Sequence, residues 1–438
     1  MTKGKYLLIV MGLFFIQILF GNEISKRFLS RDSNLKTSEI SFQLDEINLN
    51  PVDKNGVIYT KIEYRNEGEF VEPGKPDLPR FTRMVAIENE GSVRFNYQII
   101  EERKFENILI YPRQSLQNES ELPSEKFYID NDFYEKDEIY PSKLVQVGKP
   151  AILRDYRVVN LTINPFRYNP LKRELTVVTE IKVELITEGK GGVNIKKYNR
   201  PISRFFEPLY KSNIINYEQI RKRDNYQNPK YLFIYSDENE VESEIQDLIE
   251  WKHRKGFEVV AASTDQTGSS INSIRNFIED EYENSDNPPE FVCLVGDADV
   301  YSYEVPTGHE STNSGDWGEG DHYYTLLEGN DILADVHIGR LSFNSINQLK
   351  TLISKIFKYE ITPYTDNTNW FEKAILVGDP STSGYSCVTT KKSIKEMMQL
   401  HAPNFSFQEV YSGSFASHMS NGLNEGRSYF NYRGYYGT

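Results

Sequence analysis

The sequence predicts two architectures in one chain: an all-β region, then an α/β region built on a mostly parallel sheet. Three observations carry this. Across residues 22–190, β-branched and aromatic residues nearly alternate with polar ones and are broken by Gly, Pro and Asn, the pattern of half-buried antiparallel strands. From residue 230 onward, short apolar runs alternate with helically spaced apolar residues, the rhythm of right-handed strand–helix–strand crossovers. A length of 438 residues leaves room for roughly two to three domains, each with its own core.

Taken in order, residues 6–20 are apolar, follow Lys3 and Lys5, and give way to Gly21, Asn22 and Glu23. A basic start, a short apolar run and a small residue are the parts of a secretory signal peptide, here residues 1–21. The alternative is a membrane anchor, but the run is short for a span of about 20 residues. No other stretch is apolar enough to cross a bilayer, so the expectation is an exported protein with no integral membrane segment once the signal is removed. In the β region, Val57-Ile58-Tyr59-Thr60-Lys61-Ile62, Ser92-Val93-Arg94-Phe95-Asn96-Tyr97 and Leu175-Thr176-Val177-Val178 read as strands. Residues 191–229 form a locally basic connector in an acidic chain. Its Arg221-Lys222-Arg223 run reads either as a solvated linker or as a processing site for a trypsin-like protease.

In the α/β region, Tyr231-Leu232-Phe233-Ile234-Tyr235 reads as a buried strand. Val241, Ile245, Leu248 and Ile249 then mark a helix with Gly256 at its C-terminal end. Strands follow over residues 257–262, 291–295 and 374–377. Ser270 caps a helix carrying Ile274, Phe277, Ile278 and Tyr282, and Asn344 a helix carrying Ile346, Leu349, Ile353, Ile356 and Phe357. A last helix covers residues 391–400.

Composition excludes several functions. Lys and Arg number 50 against 64 Asp and Glu, a net charge of −14. Such a chain has no electrostatic footprint for a phosphate backbone, so nucleic acid is not expected as a partner. No glycine-rich phosphate loop is present, and no organic cofactor is expected. The two cysteines, Cys293 and Cys387, are too few for a disulfide framework or a structural zinc cage.

Two strands end alike, in Leu294-Val295-Gly296-Asp297 and Leu376-Val377-Gly378-Asp379. In open parallel sheets ligands bind at the carboxyl ends of strands, so each Asp is placed either to touch a ligand or orient a histidine, or simply to cap the next helix. Asp321, Asp331 and Asp335 are hard oxygen donors that suit calcium outside the cell, though their spacing is no EF-hand; the alternative is a polar loop. His322 and His337 do not form a ligand-spaced zinc pair. The final residues, Tyr429-Phe430-Asn431-Tyr432-Arg433-Gly434-Tyr435-Tyr436-Gly437-Thr438, run a core strand into a turn at the last positions, which reads as a truncated sequence.

Several of these segments together resemble a known family. Gly74-Lys75-Pro76-Asp77-Leu78-Pro79 is similar to the Gly-x-Pro-x-Leu-Pro motif in the propeptide of gingipain-type cysteine peptidases, peptidase family C25. Residues 205–217 look like the segment joining propeptide to enzyme. Residues 294–297, 321–324 and 335–342, the last with Ile338-Gly339-Arg340, match the catalytic domain. The resemblance implies an inhibitory propeptide, a caspase-like fold over residues 230–438, incomplete at its C-terminal end, and a secreted or cell-surface bacterial endopeptidase acting on proteins or peptides. It also implies a cysteine nucleophile and a histidine. The family histidine lies in Asn-Tyr-x-Gly-His-Gly, and here Asn431-Tyr432-Arg433-Gly434 is followed by Tyr435. The histidine slot therefore holds a tyrosine. Asp379 aligns with the carboxylate that orients the histidine. The nucleophile lies beyond Thr438 in the family, and neither Cys293 nor Cys387 takes its position. An imidazole titrates near neutrality and can hold a thiolate as its counter-cation, whereas a phenol with a pKa near 10 cannot. The competing reading is a pseudopeptidase serving as a cell-surface binding module.

Overall fold

The computed structural model describes residues 27–64, 67–115, 127–221, 225–298, 302–311 and 317–434. The expected signal segment 1–21, Lys222, Arg223 and Tyr435 lie outside them. The chain divides into two compact units. The first is Met1–Phe70, Pro76–Tyr111 and Glu135–Ile356; the second is Val71–Lys75, Pro112–Tyr134 and Phe357–Thr438.

The β region carries twelve described strands: β1 (Phe28–Arg31), β2 (Thr37–Gln43), β3 (Leu49–Lys54), β4 (Val57–Ile62), β5 (Gly68–Glu69), β6 (Pro79–Ile87), β7 (Ser92–Phe105), β8 (Val145–Val147), β9 (Ala151–Leu153), β10 (Tyr156–Ile163), β11 (Phe166–Asn169) and β12 (Glu174–Glu188). They form a sheet β1-β2-β12-β11, with β7 also on β12, a sheet β5-β6-β10-β8, with β9 on β10, and the hairpin β3-β4. All these pairings are antiparallel. Alternation along β12 buries Leu175, Val177, Ile181, Val183 and Leu185, as a one-sided sheet requires. The only described helix before residue 190 is the single turn α1 (Asn131–Tyr134), in the second unit.

Residues 191–229 are not the solvated connector that their charge suggests. They contain α2 (Glu207–Asn213) and α3 (Tyr217–Ile220). Ile202, Phe206, Tyr210, Ile214 and Tyr217 join Ala86, Tyr156 and Val158 in one buried cluster. Those connector residues fall three to four positions apart, the spacing of a buried helical stripe, and the surrounding lysines and arginines mask it. Asn216 is fully buried. Its amide accepts from Ala86 N–H at 2.9 Å and donates to Ala86 O at 2.9 Å and to Ser38 Oγ at 3.0 Å. Arg157 on β10 donates to the carbonyls of Asn194 at 2.8 Å and Val193 at 2.7 Å.

The first unit continues with the parallel sheet β14-β13-β15-β18: β13 (Lys230–Tyr235), β14 (Glu258–Ser263), β15 (Phe291–Val295) and β18 (His337–Leu341). Leu232 and Ile234 are buried with Ile274, Ile278 and Tyr282 of α6 (Ile271–Glu283). Phe233, on the opposite face, is equally buried, so the strand is covered on both sides. Ser270 caps α6 through a reciprocal bond pair with Ser273, as its position predicts. Helix α4 (Asn239–Arg254) buries Val241, Ile245 and Leu248, and Gly256 follows at φ +93°. A 4-residue helix α5 (Thr264–Thr267) and the antiparallel hairpin β16 (Gly308–Ser311) and β17 (Trp317–Gly320) complete this part. Helix α7 (Ile346–Glu360) starts two residues past Asn344, whose N–H donates instead to Gln348 Oε1.

The second unit holds the parallel sheet β20-β19-β21: β19 (Lys373–Gly378), β20 (Ser406–Val410) and β21 (Tyr429–Arg433). Three helices accompany it: α8 (Pro380–Ser383), α9 (Ser386–His401) and α10 (Phe415–Asn424). Phe415 and Met419 of α10 pack on Ile375, Val377 and Val410.

Asn216→Ala should cost about 2 kcal/mol, because it leaves two buried backbone groups of Ala86 unpaired. A urea melt reads this as a lower midpoint; an unchanged midpoint would mean that the connector does not brace the β region.

Candidate active site

The second unit brings Asp379 and Gly434 together. β19 and β21 run parallel with Gly378 opposite Arg433, so the next residues, Asp379 and Gly434, leave the sheet side by side at its carboxyl end. Asp379 N–H donates to Arg433 O at 2.9 Å. Its carboxylate Oδ1 accepts from Ser381 N–H at 2.9 Å and caps α8, which has Pro380 in its first turn. Capping, one of the two roles the sequence allows, is thus made. A Cβ on Gly434 would lie 2.8 Å from Asp379 Cβ and 2.5 Å from the Tyr432 hydroxyl. Glycine is required here by close approach. Tyr435 is the next residue along the chain, outside the described residues.

Beneath this end lies a polar group that sequence reading missed. Lys391 on α9 is buried, and its amine hydrogen-bonds Asn431 Oδ1 on β21. Burial, with Arg433 adding, pulls its pKa below the ordinary lysine value. Asn431 Nδ2 donates to the Tyr429 hydroxyl at 3.2 Å, and Arg433 donates to Thr390 Oγ1 at 2.6 Å. The signal was the apolar periodicity of α9, which puts position 391 on the buried face.

Neither cysteine is presented as a nucleophile. Cys293 is buried in the middle of β15, and loss of solvent pushes its thiol up to about 12. At neutral pH such a thiol is not ionised. Cys387 is fully buried in the first turn of α9, and its carbonyl is 2.8 Å from where a Gly378 Cβ would stand.

In the first unit, Asp297 lies two residues past the end of β15. Its carboxylate accepts from Ala298 N–H at 2.8 Å and Ser342 Oγ at 2.9 Å. Gly296 permits the approach of Tyr303 O, which a Cβ would meet at 2.5 Å. Behind this turn Arg340 of β18 makes a two-pronged bond to Asp321, with Nε to Oδ2 at 3.0 Å and Nη2 to Oδ1 at 2.6 Å. It also donates to the carbonyls of Gly296 and Val305. Arg340 therefore shapes the loop at the carboxyl end of β15.

The three aspartates proposed for calcium do not share a site. Asp321 is committed to Arg340 and to the Thr307 hydroxyl at 2.9 Å. Asp331 accepts from Ile152 N–H at 2.8 Å, Leu333 N–H at 3.0 Å and Asn194 Nδ2 at 3.2 Å. Asp335 Oδ2 accepts from Leu327 N–H at 2.9 Å and Glu328 N–H at 2.8 Å, and burial pushes its pKa up to about 7. Among the described residues no group of three or more His, Cys, Asp or Glu side chains could hold a metal ion. Most of the oxygens that looked like calcium donors are taken by amides, one hydroxyl and one guanidinium, and Asp335 Oδ1 is buried without a hydrogen-bond partner among the described residues. Of the proposed processing run, Arg221 is half-buried and paired with Glu218 at 3.2 Å and Glu207 at 3.8 Å.

Comparison with known proteins gives two adjoining matches. The family model of the C25 propeptide covers residues 26–224, and that of peptidase family C25 covers residues 224–438. The chain is similar to gingipain R2 of Porphyromonas gingivalis, with 26% identity over 425 residues, 95% of this chain and 56% of the relative. Lys-gingipain of the same organism is 25% identical over 416 residues, covering 92% of this chain and 24% of the relative. The chain thus spans about half of the first relative's length and a quarter of the second's. A solved complex of the pro- and mature domains of P. gingivalis RgpB matches at 23% identity and a TM-score of 0.40, over 44% of this chain and 98% of that one.

The raised pKa of Asp335 fixes the sign of one pH effect. A carboxyl whose folded pKa lies above its unfolded value near 3.8 adds stability below pH ~4 and loses it as pH rises through about 7. Asp335→Asn, which retains an acceptor for Leu327 and Glu328, should flatten that loss. Melting temperatures of the two proteins should diverge in favour of the variant between pH 4 and pH 8; parallel curves would show that Asp335 is not protonated when folded.

Proposed function

Because the chain belongs to peptidase family C25 and carries that family's propeptide, we propose that it is a secreted or cell-surface cysteine-type endopeptidase precursor with a caspase-like catalytic region and an inhibitory propeptide. The observation that carries the reading is the pair Asp379 and Gly434, side by side at the carboxyl ends of adjacent parallel strands. The residue after Gly434 occupies the histidine slot. A carboxylate one strand away is where an imidazole would be oriented and kept in one tautomer. Cys293 and Cys387 are both buried, so neither is offered as the nucleophile in this reading. Protein or peptide substrates follow from the reaction class. No helix among the described residues is long and apolar enough to cross a membrane.

Inhibition by the propeptide is supported by its excursions. Residues 71–75 and 112–134 belong to the same compact unit as Asp379 and Gly434. Within the first unit, by contrast, the β region meets the parallel sheet at its amino ends, through Arg154 at Pro289 and Asp335. Among the described residues, these contacts lie away from the carboxyl ends of that sheet. In this reading release follows a cut at the Arg221-Lys222-Arg223 run of the connector, which has bonded residues on either side. Arg221 N–H bonds Tyr217 O at 2.9 Å on one side, and Ile202 N–H bonds Asn225 O at 3.0 Å on the other.

A second reading, a pseudopeptidase that binds at the cell surface, is favoured by Tyr435. A tyrosine cannot supply the cation that holds a thiolate.

Residues 1–438 alone should show no thiol-dependent turnover of a broad peptide library. Cleavage that disappears in Cys293→Ala or Cys387→Ala would put the nucleophile inside this chain. In the longer gene product, Tyr435→His should raise kcat/KM by roughly 10²–10⁴, the usual contribution of a placed acid–base group. Equal rates with an active-site thiol label bound in both would mean that another histidine serves.

Brief trypsin treatment of the folded protein should cut after Lys222 or Arg223 and spare Arg221, which is tied to Glu207 and Glu218. Peptide mapping that finds the first cut inside residues 27–190 would move the processing site out of the connector.

A further inference from the structure

Arg154 is an unusual choice for its place in the chain. It is the first of two residues turning β9 into β10, with Leu153 paired to Tyr156, and its φ is +45°. Two-residue hairpins that need a left-handed first residue normally take glycine there. An arginine in that position, with a side chain fully buried, calls for a compensating interaction.

The guanidinium finds one in the peptidase region. Nη1 donates to Pro289 O at 2.9 Å and to the Asp335 carbonyl. Nη2 donates to Gln227 Oε1 at 3.1 Å and reaches Pro288 O at 3.4 Å. The Tyr282 ring centre lies 5.4 Å from the guanidinium carbon. Gln227 is itself oriented by donating to Pro288 O at 2.9 Å. These acceptors come from the segments entering β13, β15 and β18, so they gather at the amino ends of three neighbouring strands. All belong to residues 224–438, the part matched by the peptidase family, whereas Arg154 belongs to the part matched by the propeptide.

We propose that this edge of the sheet is a guanidinium socket, and that Arg154 plugged into it is the principal anchor holding the propeptide on the peptidase region after the connector is cut. The inference rests on the reading of the β region as a propeptide that is separated by cleavage. The surroundings resemble an interface hot spot: a desolvated planar cation, accompanied across the same boundary by the buried pair Lys196–Glu328 at 3.1 Å and by Arg200 donating to the Tyr282 and Glu283 carbonyls, with exposed pairs at the rim. The pair Lys197–Glu283, at 3.4 Å with Lys197 64% exposed, is such a peripheral contact and contributes little. Cutting at residues 222–224 leaves every socket bond in place.

The test uses the full chain with a sequence-specific protease site at residues 222–224, cut while folded, and measures the Kd between the two pieces by dilution and gel filtration. The wild-type pieces should remain together at micromolar concentration. Arg154→Met should raise Kd at least ~100-fold and Arg154→Lys at least tenfold, because lysine keeps the charge but not the planar fork. Lys197→Met should change it less than threefold. Wild-type pieces that separate at once, or Arg154 variants within threefold of wild type, overturn the proposal. If uncut Arg154→Met does not melt cooperatively, a cycle of Arg154→Lys with Gln227→Ala decides: coupling supports the socket, and additivity overturns it. Peptide turnover by the longer product separates this from the propeptide reading. Full activity with the pieces still bound through Arg154 would support the anchor while sinking inhibition.

Discussion

A guanidinium removed from water must find acceptors for several N–H donors at once, because a buried, unpaired charge is among the costliest defects a fold can carry. The parallel sheet of the first unit carries one such group, Arg154, at its amino end and a partly buried guanidinium, Arg340, at its carboxyl end. Strands that run parallel open all their amino ends on one edge and all their carboxyl ends on the other. At the amino edge Arg154 collects Pro288, Pro289 and Asp335 carbonyls. At the carboxyl edge Arg340 collects Gly296 and Val305 carbonyls together with the Asp321 carboxylate. Carbonyls of connecting segments, which no ladder satisfies, are thus gathered by a planar fork whose geometry suits several acceptors.

The two ends differ in what this achieves. Arg340 belongs to the sheet it braces and fixes the loop after β15, where Asp297 sits. Arg154 comes from the β region, so the same physics joins two parts of the chain that adjoining family models divide at residue 224. The second unit solves a smaller version of the problem with Lys391 and Asn431 under the carboxyl ends of β19 and β21. There the buried amine leaves the turn residues Asp379 and Gly434 uncommitted to it.

Much of this was legible because backbone physics leaves periodic marks. The runs at residues 231–235 and 291–295 became β13 and β15, and the Ser270 cap and the α6 stripe fell where spacing put them. Asp379 at a strand end was visible as Gly-Asp after an apolar run. The misses share a cause: a charged side chain states nothing about its burial. Nothing in the sequence singles out Arg154, whose positive φ and burial exist only in the fold. Asp321, Asp331 and Asp335 looked like one ion site because they are close in sequence, yet each is turned to a different partner. In the connector, basic residues drew attention from the stripe Ile202, Phe206, Tyr210, Ile214, Tyr217.

The geometry also separates two tasks that a propeptide is often assumed to perform with one surface. Holding on is assigned to the amino edge of the first unit's sheet, far along the strands from the carboxyl-end turn at Asp297. Chemistry in open parallel sheets belongs to carboxyl ends. A contact at the amino edge can be as tight as desolvation allows without occupying any position where a substrate would lie. A cut at residues 222–224 then changes chain connectivity but none of the bonds at the socket. In such a design, cleavage alone does not decide when the propeptide leaves; the affinity of the arginine plug does, and it is set by residues that take no part in peptide hydrolysis.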